Sequence, residues 1–208
     1  MSLKAQYDLR RSRVLVGLAE RLERFLIEIL AAQSRIDRIS ARAKTTDSFC
    51  KKAAKKDSGG SKYYAHPLDQ IQDQVGARII VYYPQDVDLV ATYIADFFNA
   101  IEAKELGPDS DQKFGYLGKH FIIPVPSDVL PEEGTKDVPK HFELQIKTMF
   151  QHAWSESSHN LAYKDDHGKL TSEERRMIAY AAAQAWGADR IFKDVVSGRI
   201  FTDAGIIH

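Results

Sequence analysis

Hydrophobic and polar residues alternate strictly over residues 141–148, which read HFELQIKT. The two sets fall on opposite sides of an extended chain, with Phe142, Leu144 and Ile146 on one and Glu143, Gln145 and Lys147 on the other. A period of two is typical of a half-buried strand. If the polar row faces a cleft rather than solvent, Glu143 becomes a candidate for chemistry.

Helical periods dominate both ends of the chain. Apolar residues at spacings of three and four predict helices over residues 7–38, 148–163 and 171–196. Thr171 and Glu174 fit a capping box at the start of the last helix. Two more helices are expected, a short basic one capped by Ser48 and one starting at Asp86 or Asp88.

Two further segments, residues 72–84 and 119–125, are rich in β-branched and aromatic residues and predict strands. Strands and helices therefore alternate, which favours an α/β fold with a mixed β-sheet flanked by helices and helical elements at both ends. We expect one domain over 1–208, with helical regions at 1–40 and 165–208 around a central block at 41–164.

Composition narrows the class of protein. With 44% hydrophobic and 28% charged residues the chain is typical of a globular protein. No apolar run approaches the ~18 residues of a membrane span, and the start lacks an apolar signal core. A single cysteine, Cys50, excludes an internal disulfide, so a cytoplasmic protein is expected.

The net charge of zero hides a gradient along the chain. Residues 1–62 hold 15 lysines and arginines against 7 acidic residues, and the remainder is correspondingly acidic. A basic first third indicates an anionic partner, such as a phosphate-bearing ligand or RNA. The alternative is a solvated helix surface, and charge alone does not separate the two.

Two acids stand at strand segments about 70 residues apart. In DQVGARI, Asp73 shares a face with Val75 and Ala77 by period, and Gly76 leaves room for a backbone or a ligand to approach. If this strand neighbours the one that carries Glu143, both carboxylates project into one cleft. Such a pair can hold a Mg²⁺ ion that carries substrate phosphates. The alternative is two surface acids on a solvated sheet face.

The basic stretch RAKTTDSFCKKAAKK complements these acids. A hydroxyl, backbone N–H groups at a helix start and several cations together can cradle a polyphosphate. The residues concerned are Arg42, Lys44, Ser48, Lys51 and Lys52. A lysine-rich helix that is merely solvated is the alternative.

The segment FGYLGKH adds an aromatic and a histidine. Tyr116 lies between two glycines, where it can stack on a base or simply pack, and His120 opens the following strand, where it can meet a phosphate. His152 and His159 are seven residues apart on one helix, but no third ligand stands nearby in sequence, so a zinc site is rejected.

The order of motifs RAKTTDS, DQVGAR, GYLGKH, ELQIKT and HNLAYK resembles the synthetase domain of the RelA/SpoT family, over residues 42–164. The resemblance implies a nucleotidyltransferase-like fold and a small, single-domain alarmone synthetase or a toxin-like relative. Such enzymes transfer pyrophosphate from ATP to a ribose 3′-hydroxyl of GDP or GTP, giving ppGpp or pppGpp, the alarmones of the stringent response.

The resemblance also implies roles for individual residues. Asp73 would hold Mg²⁺, and Glu143 would share the metal or take the proton of the 3′-hydroxyl. On the ATP side, Arg42 and Arg78 would sandwich the adenine, and Lys44, Ser48, Lys51 and Lys52 would bind the phosphates. On the acceptor side, Tyr116 would stack on the base, with His120, Gln145, Lys147 and His159 around the ribose and phosphates.

Two departures from the family pattern fall on the acceptor side. The family commonly has a serine where this chain has Gly118, and an arginine where it has Lys147; arginine grips a phosphate with two parallel bonds, whereas lysine acts as a point charge. ATP as donor is thus the firmer expectation. A toxin-like pyrophosphokinase acting on the tRNA 3′ end or on adenosine nucleotides, and an inactive nucleotide-binding regulator, remain alternatives. A homo-oligomer, for example a tetramer, is expected through the terminal helices.

Overall fold

Five strands form one mixed sheet in the computed structural model of the protein, which describes residues 1–105, 118–132, 137–163 and 170–204. The strands are β1 (Ile36–Ala43), β2 (Val75–Val81), β3 (Glu102–Glu105), β4 (Lys119–Pro124) and β5 (His141–Thr148). The helices are α1 (Leu3–Arg10), α2 (Val16–Ile29), α3 (Thr46–Ala53), α4 (Pro67–Gln70), α5 (Pro84–Phe97), α6 (Met149–Tyr163) and α7 (Ser172–Ala204). A π-helical turn over Arg11–Leu15 joins α1 to α2, and 3₁₀ turns cover Gln72–Gln74 and Ser127–Val129.

The sheet order β1-β2-β5-β4-β3 places strands from distant parts of the chain side by side at its centre. β2 and β5 run parallel, and the other neighbouring pairs run antiparallel. The register pairs Gly76 with Glu143 and Arg78 with Gln145. Because side chains alternate across a strand, these four positions lie on the same face of the sheet.

The opposite face carries the hydrophobic core. Phe142, Leu144 and Ile146 of β5 are fully buried, and the core also includes Leu22 of α2 and Ile94 of α5. The predicted strand over residues 141–148 is therefore confirmed, as is the α/β class with helices flanking a mixed sheet. None of the helices in the described ranges combines the length and apolar composition of a membrane span.

The predicted helix over residues 7–38 is wrong at its C-terminal end. The helix ends at Ile29, and Ile36–Ala43 forms the edge strand β1. An irregularity in the pairing with β2 falls between Ile36 and Arg38. A bulge of this kind interrupts the period-two pattern, so the segment does not read as a strand.

Other boundaries moved by a few residues. Thr45, not Ser48, caps α3: the Thr45 side chain accepts a hydrogen bond from the backbone N–H of Ser48. α5 begins at Pro84, a residue favoured in the first turn because its missing N–H would have no partner there. The capping box of α7 is confirmed by reciprocal bonds between Thr171 and Glu174. The short elements α4 and β3 were not predicted.

Gly118, at the start of β4, lies against the backbone of β5. A Cβ atom at this position would lie 2.1 Å from the Ile146 carbonyl oxygen and 2.6 Å from Lys147 Cγ. The two departures from the family pattern, Gly118 and Lys147, therefore contact each other. A serine at position 118 does not fit unless β5 moves.

We expect Gly118→Ala to destabilise the protein by about 1–3 kcal/mol, because the added methyl group overpacks the β4–β5 contact. Urea unfolding measures the change. Gly187→Ala on α7 is the matched control, since a Cβ there meets no atom of another described element within 4 Å and alanine favours a helix. Equal stabilities for the two variants would contradict the packing argument.

Candidate functional site

A cavity of about 640 Å³ lies over the polar face of the sheet, between β1, β2, β5, α3 and α6. It brings together most of the residues singled out in the sequence, namely Arg42, Lys44, Ser48, Lys51, Lys52, Asp73, Arg78, Glu143, Gln145 and His159. A second lobe of about 740 Å³ shares several of these residues and continues toward α7, where Lys147, Trp154 and Arg175 line it. The polar row of β5 therefore faces a cleft rather than bulk solvent.

Gly76 provides the floor of this cavity between the two acids. Among the described residues, only the Glu143 carbonyl oxygen, at 4.0 Å, would lie near a Cβ atom built on Gly76. The glycine was expected to mark a close approach by a backbone or a ligand, and apart from its strand neighbours in β1 and β5 no backbone of the described residues lies close to that Cβ position. The space above it is open to the cavity.

Asp73 lies in the 3₁₀ turn before β2, not in the strand itself. Its backbone angles (φ −92°, ψ 33°) interrupt the alternation, so the prediction that it shares a strand face with Val75 and Ala77 is wrong. Val75 and Ala77 are buried in the core, whereas the Asp73 carboxylate lines the cavity. The turn re-aims the side chain toward the polar face.

Two ammonium groups hold one oxygen of Asp73. The Nζ atoms of Lys44 and Lys52 each lie 2.9 Å from Asp73 Oδ2. Burial raises the pKa of Asp73, but the two lysines lower it more, so the pKa lies below its ordinary value. The same contacts raise the pKa of Lys52 against the effect of its burial. Asp73 and Lys52 are therefore both charged at neutral pH.

Glu143 is held by its neighbours on the sheet. His120 Nδ1 donates to Oε1 at 3.0 Å, and Gln145 Nε2 donates to Oε2 at 3.0 Å. Burial raises the pKa of Glu143 and so does the charge of Asp73, but His120 and Gln145 lower it more, and the pKa lies below its ordinary value. Glu143 is therefore a carboxylate at neutral pH.

The donor set of this cavity fits a divalent cation. Asp73 Oδ1 is buried and has no hydrogen-bond partner among the described residues, and the Glu143 carboxylate faces the same cavity. Within the described ranges no group of three or more His, Cys, Asp or Glu residues could hold a metal by itself. Two carboxylates, completed by water and substrate oxygens, make the kind of site that Mg²⁺ uses.

Helix α3 lines the same cavity with a hydroxyl of its first turn and with cations of its last turn. Thr45 caps the helix and donates from Oγ1 to Ser48 Oγ at 2.8 Å. Lys51 and Lys52 in the last turn of α3, and Lys55 just beyond its end, line the cavity. Because the N-terminal end of a helix carries a partial positive charge, this wall favours an anion.

Arg78 is oriented by α6, which the sequence did not indicate. Glu156 Oε1 lies 2.9 Å from Arg78 Nη2, and Arg78 Nη1 donates to His152 Nδ1 at 3.2 Å. The pKa of His152 lies below its ordinary value because of burial and the Arg78 charge, so the ring is neutral and accepts. Their spacing of four residues on one helix was the available signal for this pair.

Lys147 lies under α6 and is only 4% exposed. Its Nζ donates to Ser155 Oγ at 3.1 Å. Burial, then the charge of Arg78, lowers its pKa to about 8 despite the opposing charges of Glu156 and Glu143. Unlike the arginine common in the family, this side chain can lose its charge near physiological pH.

We expect the free energy of unfolding to rise between pH 8 and 10.5 by up to about 3 kcal/mol because of Lys147. Below pH 8 the folded and unfolded chains are both protonated, and the cost of burying the ammonium is present in full. At higher pH the folded chain loses the proton first, and the cost disappears. The difference between wild type and Lys147→Met, measured by urea unfolding, isolates this group. Parallel pH profiles would contradict the prediction.

The structure says less about three of the predicted acceptor residues, namely Tyr116, His120 and His159. Tyr116 lies outside the described residues. His120 contacts Glu143, and its Nε2 atom is buried with no hydrogen-bond partner among the described residues. His159 is exposed at the cavity rim. The structure therefore describes the two acids and the cations near β1 more completely than these three predicted acceptor residues.

The fold is a mixed sheet whose polar face carries two carboxylates and several cations around one cleft. The chain belongs to the RelA/SpoT family, because the family model described as "Region found in RelA / SpoT proteins" matches residues 41–168.

Named relatives agree with this assignment. The chain is 25% identical over 145 residues to GTP pyrophosphokinase YjbM of Bacillus subtilis (strain 168), a match that covers 68% of this chain and 63% of that protein. Small alarmone synthetase 1 from Bacillus subtilis, bound to its product pppGpp, has a similar fold, with a TM-score of 0.70, 20% identity and coverage of 86% and 91% of the two chains. The same enzyme bound to AMPCPP matches with a TM-score of 0.66, 20% identity and coverage of 92% and 98%.

Proposed function

We propose that this protein is a pyrophosphokinase that transfers the β,γ-pyrophosphate of ATP to the 3′-hydroxyl of GDP or GTP, making ppGpp or pppGpp. The observation that carries the proposal is that Asp73 and Glu143 line one cavity with the cations of β1, β2 and α3. The name of the Bacillus subtilis relative, a GTP pyrophosphokinase, supports the reaction. These substrates are available in the cytoplasm, where we expect the protein to act.

ATP would bind on the side of β1, β2 and α3. Arg42 and Arg78 line the cavity from neighbouring strands and would enclose the adenine by stacking. The triphosphate would run toward Asp73, where Lys44, Ser48, Lys51 and Lys52 offer charge-assisted hydrogen bonds. The structure of a relative with AMPCPP, whose printed title names that ligand, supports a site for an adenine nucleotide.

The guanine nucleotide would bind on the β4 side of Glu143. Tyr116 would stack on the base, and Gln145, His120 and His159 would contact the ribose and phosphates. Lys147 would contribute positive charge from beneath α6. The complex of a relative with pppGpp supports an acceptor of this class.

In the proposed reaction the acceptor 3′-oxygen bonds to the β-phosphorus of ATP. The bond from that phosphorus to the oxygen bridging to the α-phosphorus breaks, and its electron pair leaves with AMP. The hydroxyl proton passes to Glu143 or to solvent. Catalysis of this kind depends mainly on alignment and charge neutralisation, which Lys44 and Lys52 serve at the donor phosphates.

Asp73 and Glu143 would hold Mg²⁺, and the bound ion would neutralise charge on the transferred pyrophosphate. Glu143 is ionised and accepts two hydrogen bonds, which favours a role as a ligand and makes it a weak base. Both roles stay open in this proposal.

Product analysis tests the function directly. Protein, Mg²⁺ and ATP labelled at the β-phosphate are incubated with GDP, GTP, GMP, ATP or tRNA in turn. The proposal expects AMP and a 3′-pyrophosphorylated guanosine nucleotide in equal amounts. Label on tRNA or on an adenosine nucleotide, without a guanosine product, would show that the acceptor in the proposal is wrong and that ATP is still the donor. ATP binding with no product from any acceptor would favour an inactive regulator.

A homo-oligomer remains part of the proposal. Helix α7 leaves large apolar side chains exposed, among them Met177, Tyr180 and Ile191, which is consistent with an association through the terminal helices. Light scattering after size exclusion measures the mass, and a monomer at micromolar concentration would remove this part.

A further inference from the structure

The N-terminal helix α1 lies outside the residues that match the family model, yet it packs on the element that carries the cations of the cavity. Tyr7 stacks on Phe49 of α3 with ring centroids 3.7 Å apart and an interplanar angle of 5°. Both rings are fully buried. On the surface of the same contact, Thr46 donates to Asp8, and Lys4 pairs with Asp47. α1 is thus attached to the first turn of α3 at several points.

Lys44 lies between β1 and α3, and its backbone N–H and carbonyl both form hydrogen bonds. Its N–H donates to the carbonyl of Gln74 at 2.8 Å. Its carbonyl accepts two hydrogen bonds from α1 and the turn that follows, from the Tyr7 hydroxyl at 3.0 Å and from Arg11 Nε at 3.2 Å. The side chain of the same residue reaches Asp73 Oδ2 at 2.9 Å.

These bonds hold the Lys44 backbone at a constant distance from the Asp73 turn. A lysine side chain loses much rotamer freedom when its ammonium is held in one place, so a backbone that is already fixed lowers the cost of that contact. Tyr7 suits the task, because burial raises the pKa of its phenol well above the ordinary value and the hydroxyl remains a donor. Arg11 adds a charged donor to the same oxygen.

We propose that Tyr7 and Arg11 are positioning residues of the phosphate site: by holding the Lys44 carbonyl they place the Lys44 ammonium against Asp73 for the incoming phosphates. This inference rests on the proposed function for its kinetic readout. It gives α1 a part in ATP binding that the matched segment 41–168 does not contain.

Steady-state kinetics of the full chain test the proposal with Tyr7→Phe, which keeps the ring stack and removes the donor, and with Arg11→Met. Each variant is expected to raise KM for ATP about fivefold, the usual effect of one lost hydrogen bond. KM for the guanine nucleotide is expected to change less than about twofold, since Lys44 faces the donor side. The double variant is expected to have a higher KM for ATP than either single variant.

Arg10→Met is the matched control. Arg10 donates from Nε to the Asp137 carbonyl at 2.7 Å and from Nη1 to the Leu68 carbonyl at 2.6 Å, so it fastens α1 without touching Lys44. It is expected to lower Tm while leaving KM for ATP unchanged. If Arg10→Met raises KM for ATP as much as Arg11→Met does, general attachment of α1 explains the effect, and the proposal is overturned.

A double-mutant cycle separates action through Lys44 from other routes. Equilibrium binding of Mg²⁺·AMPCPP is measured for wild type, Tyr7→Phe, Lys44→Met and the combination. The Tyr7→Phe effect is expected to vanish in the Lys44→Met background; if it persists in full, Tyr7 does not act through Lys44. Because this readout needs no turnover, the inference stands if AMPCPP binds with the expected ordering even when no product forms. Absence of AMPCPP binding by the wild type would overturn it.

Discussion

Asp73→Asn is expected to reduce pyrophosphate transfer by about three orders of magnitude or more, the scale seen when a group that stabilises transition-state charge is removed. The substitution keeps the shape of the side chain but leaves Lys44 and Lys52 facing each other without the anion that now lies between them. It also removes the negative charge of the carboxylate whose buried Oδ1 atom is proposed to bind Mg²⁺. Initial rates of AMP release at saturating ATP and GDP measure the loss.

Asp69→Asn is the control for this change, since Asp69 is exposed on α4 and does not line the cavity. It should retain the wild-type rate. Circular dichroism and Tm of both variants show that the fold is kept. An Asp73→Asn protein that is folded and works within about tenfold of the wild type would remove Asp73 from the chemistry.

Glu143→Gln is the second large effect. Glutamine can keep contacts with His120 and Gln145, but it can neither bind a cation as an anion nor take a proton. We expect kcat to fall by about 10² to 10⁴, with Tm close to that of the wild type. Glu173→Gln, an exposed acid in the first turn of α7, is the matched control.

Titration with Mg²⁺ distinguishes the two roles proposed for Glu143. If the carboxylate is a metal ligand, Glu143→Gln raises the Mg²⁺ concentration needed for half-maximal rate, and excess Mg²⁺ restores part of kcat. If it only accepts the proton, the Mg²⁺ dependence stays as in the wild type while kcat falls. A variant with unchanged kcat at every Mg²⁺ concentration would contradict both roles.

The two sides of the cavity differ in how closely their residues follow the family pattern. On the side proposed for ATP, Lys44 and Lys52 form ion pairs with Asp73, and Arg78 is oriented by α6. On the side proposed for the acceptor, Gly118 packs on Lys147, so the two departures from the family pattern form one local change. A search for an altered acceptor should therefore vary these two positions together.

Strand β5 shows what local pattern alone can predict. Its strict alternation placed Phe142, Leu144 and Ile146 in the core and the polar row on the other face, because a period of two leaves no other arrangement for a half-buried strand. The capping box of α7 could also be predicted from the sequence, since its hydrogen bonds join residues three positions apart. Signals that act over a few residues were sufficient for these elements.

Strand β1 and Asp73 show where local pattern fails. The pairing irregularity in β1 depends on its contact with β2, and the turn that re-aims Asp73 breaks the period on which the prediction relied. The partners of Glu156 and Tyr7 could not be read from the sequence, because each acts on a residue more than 30 positions away.

The sequence by itself thus determined the class of fold, the family and the residue types available for phosphate chemistry, because motif order and hydrophobic period are properties of short segments. Only the tertiary structure decided that β2 and β5 are neighbours, that Asp73 and Glu143 line one cavity, and that α1 holds the Lys44 backbone. These facts depend on contacts between distant segments, whose partners are selected by the burial of the whole core and not by the residues on either side of them.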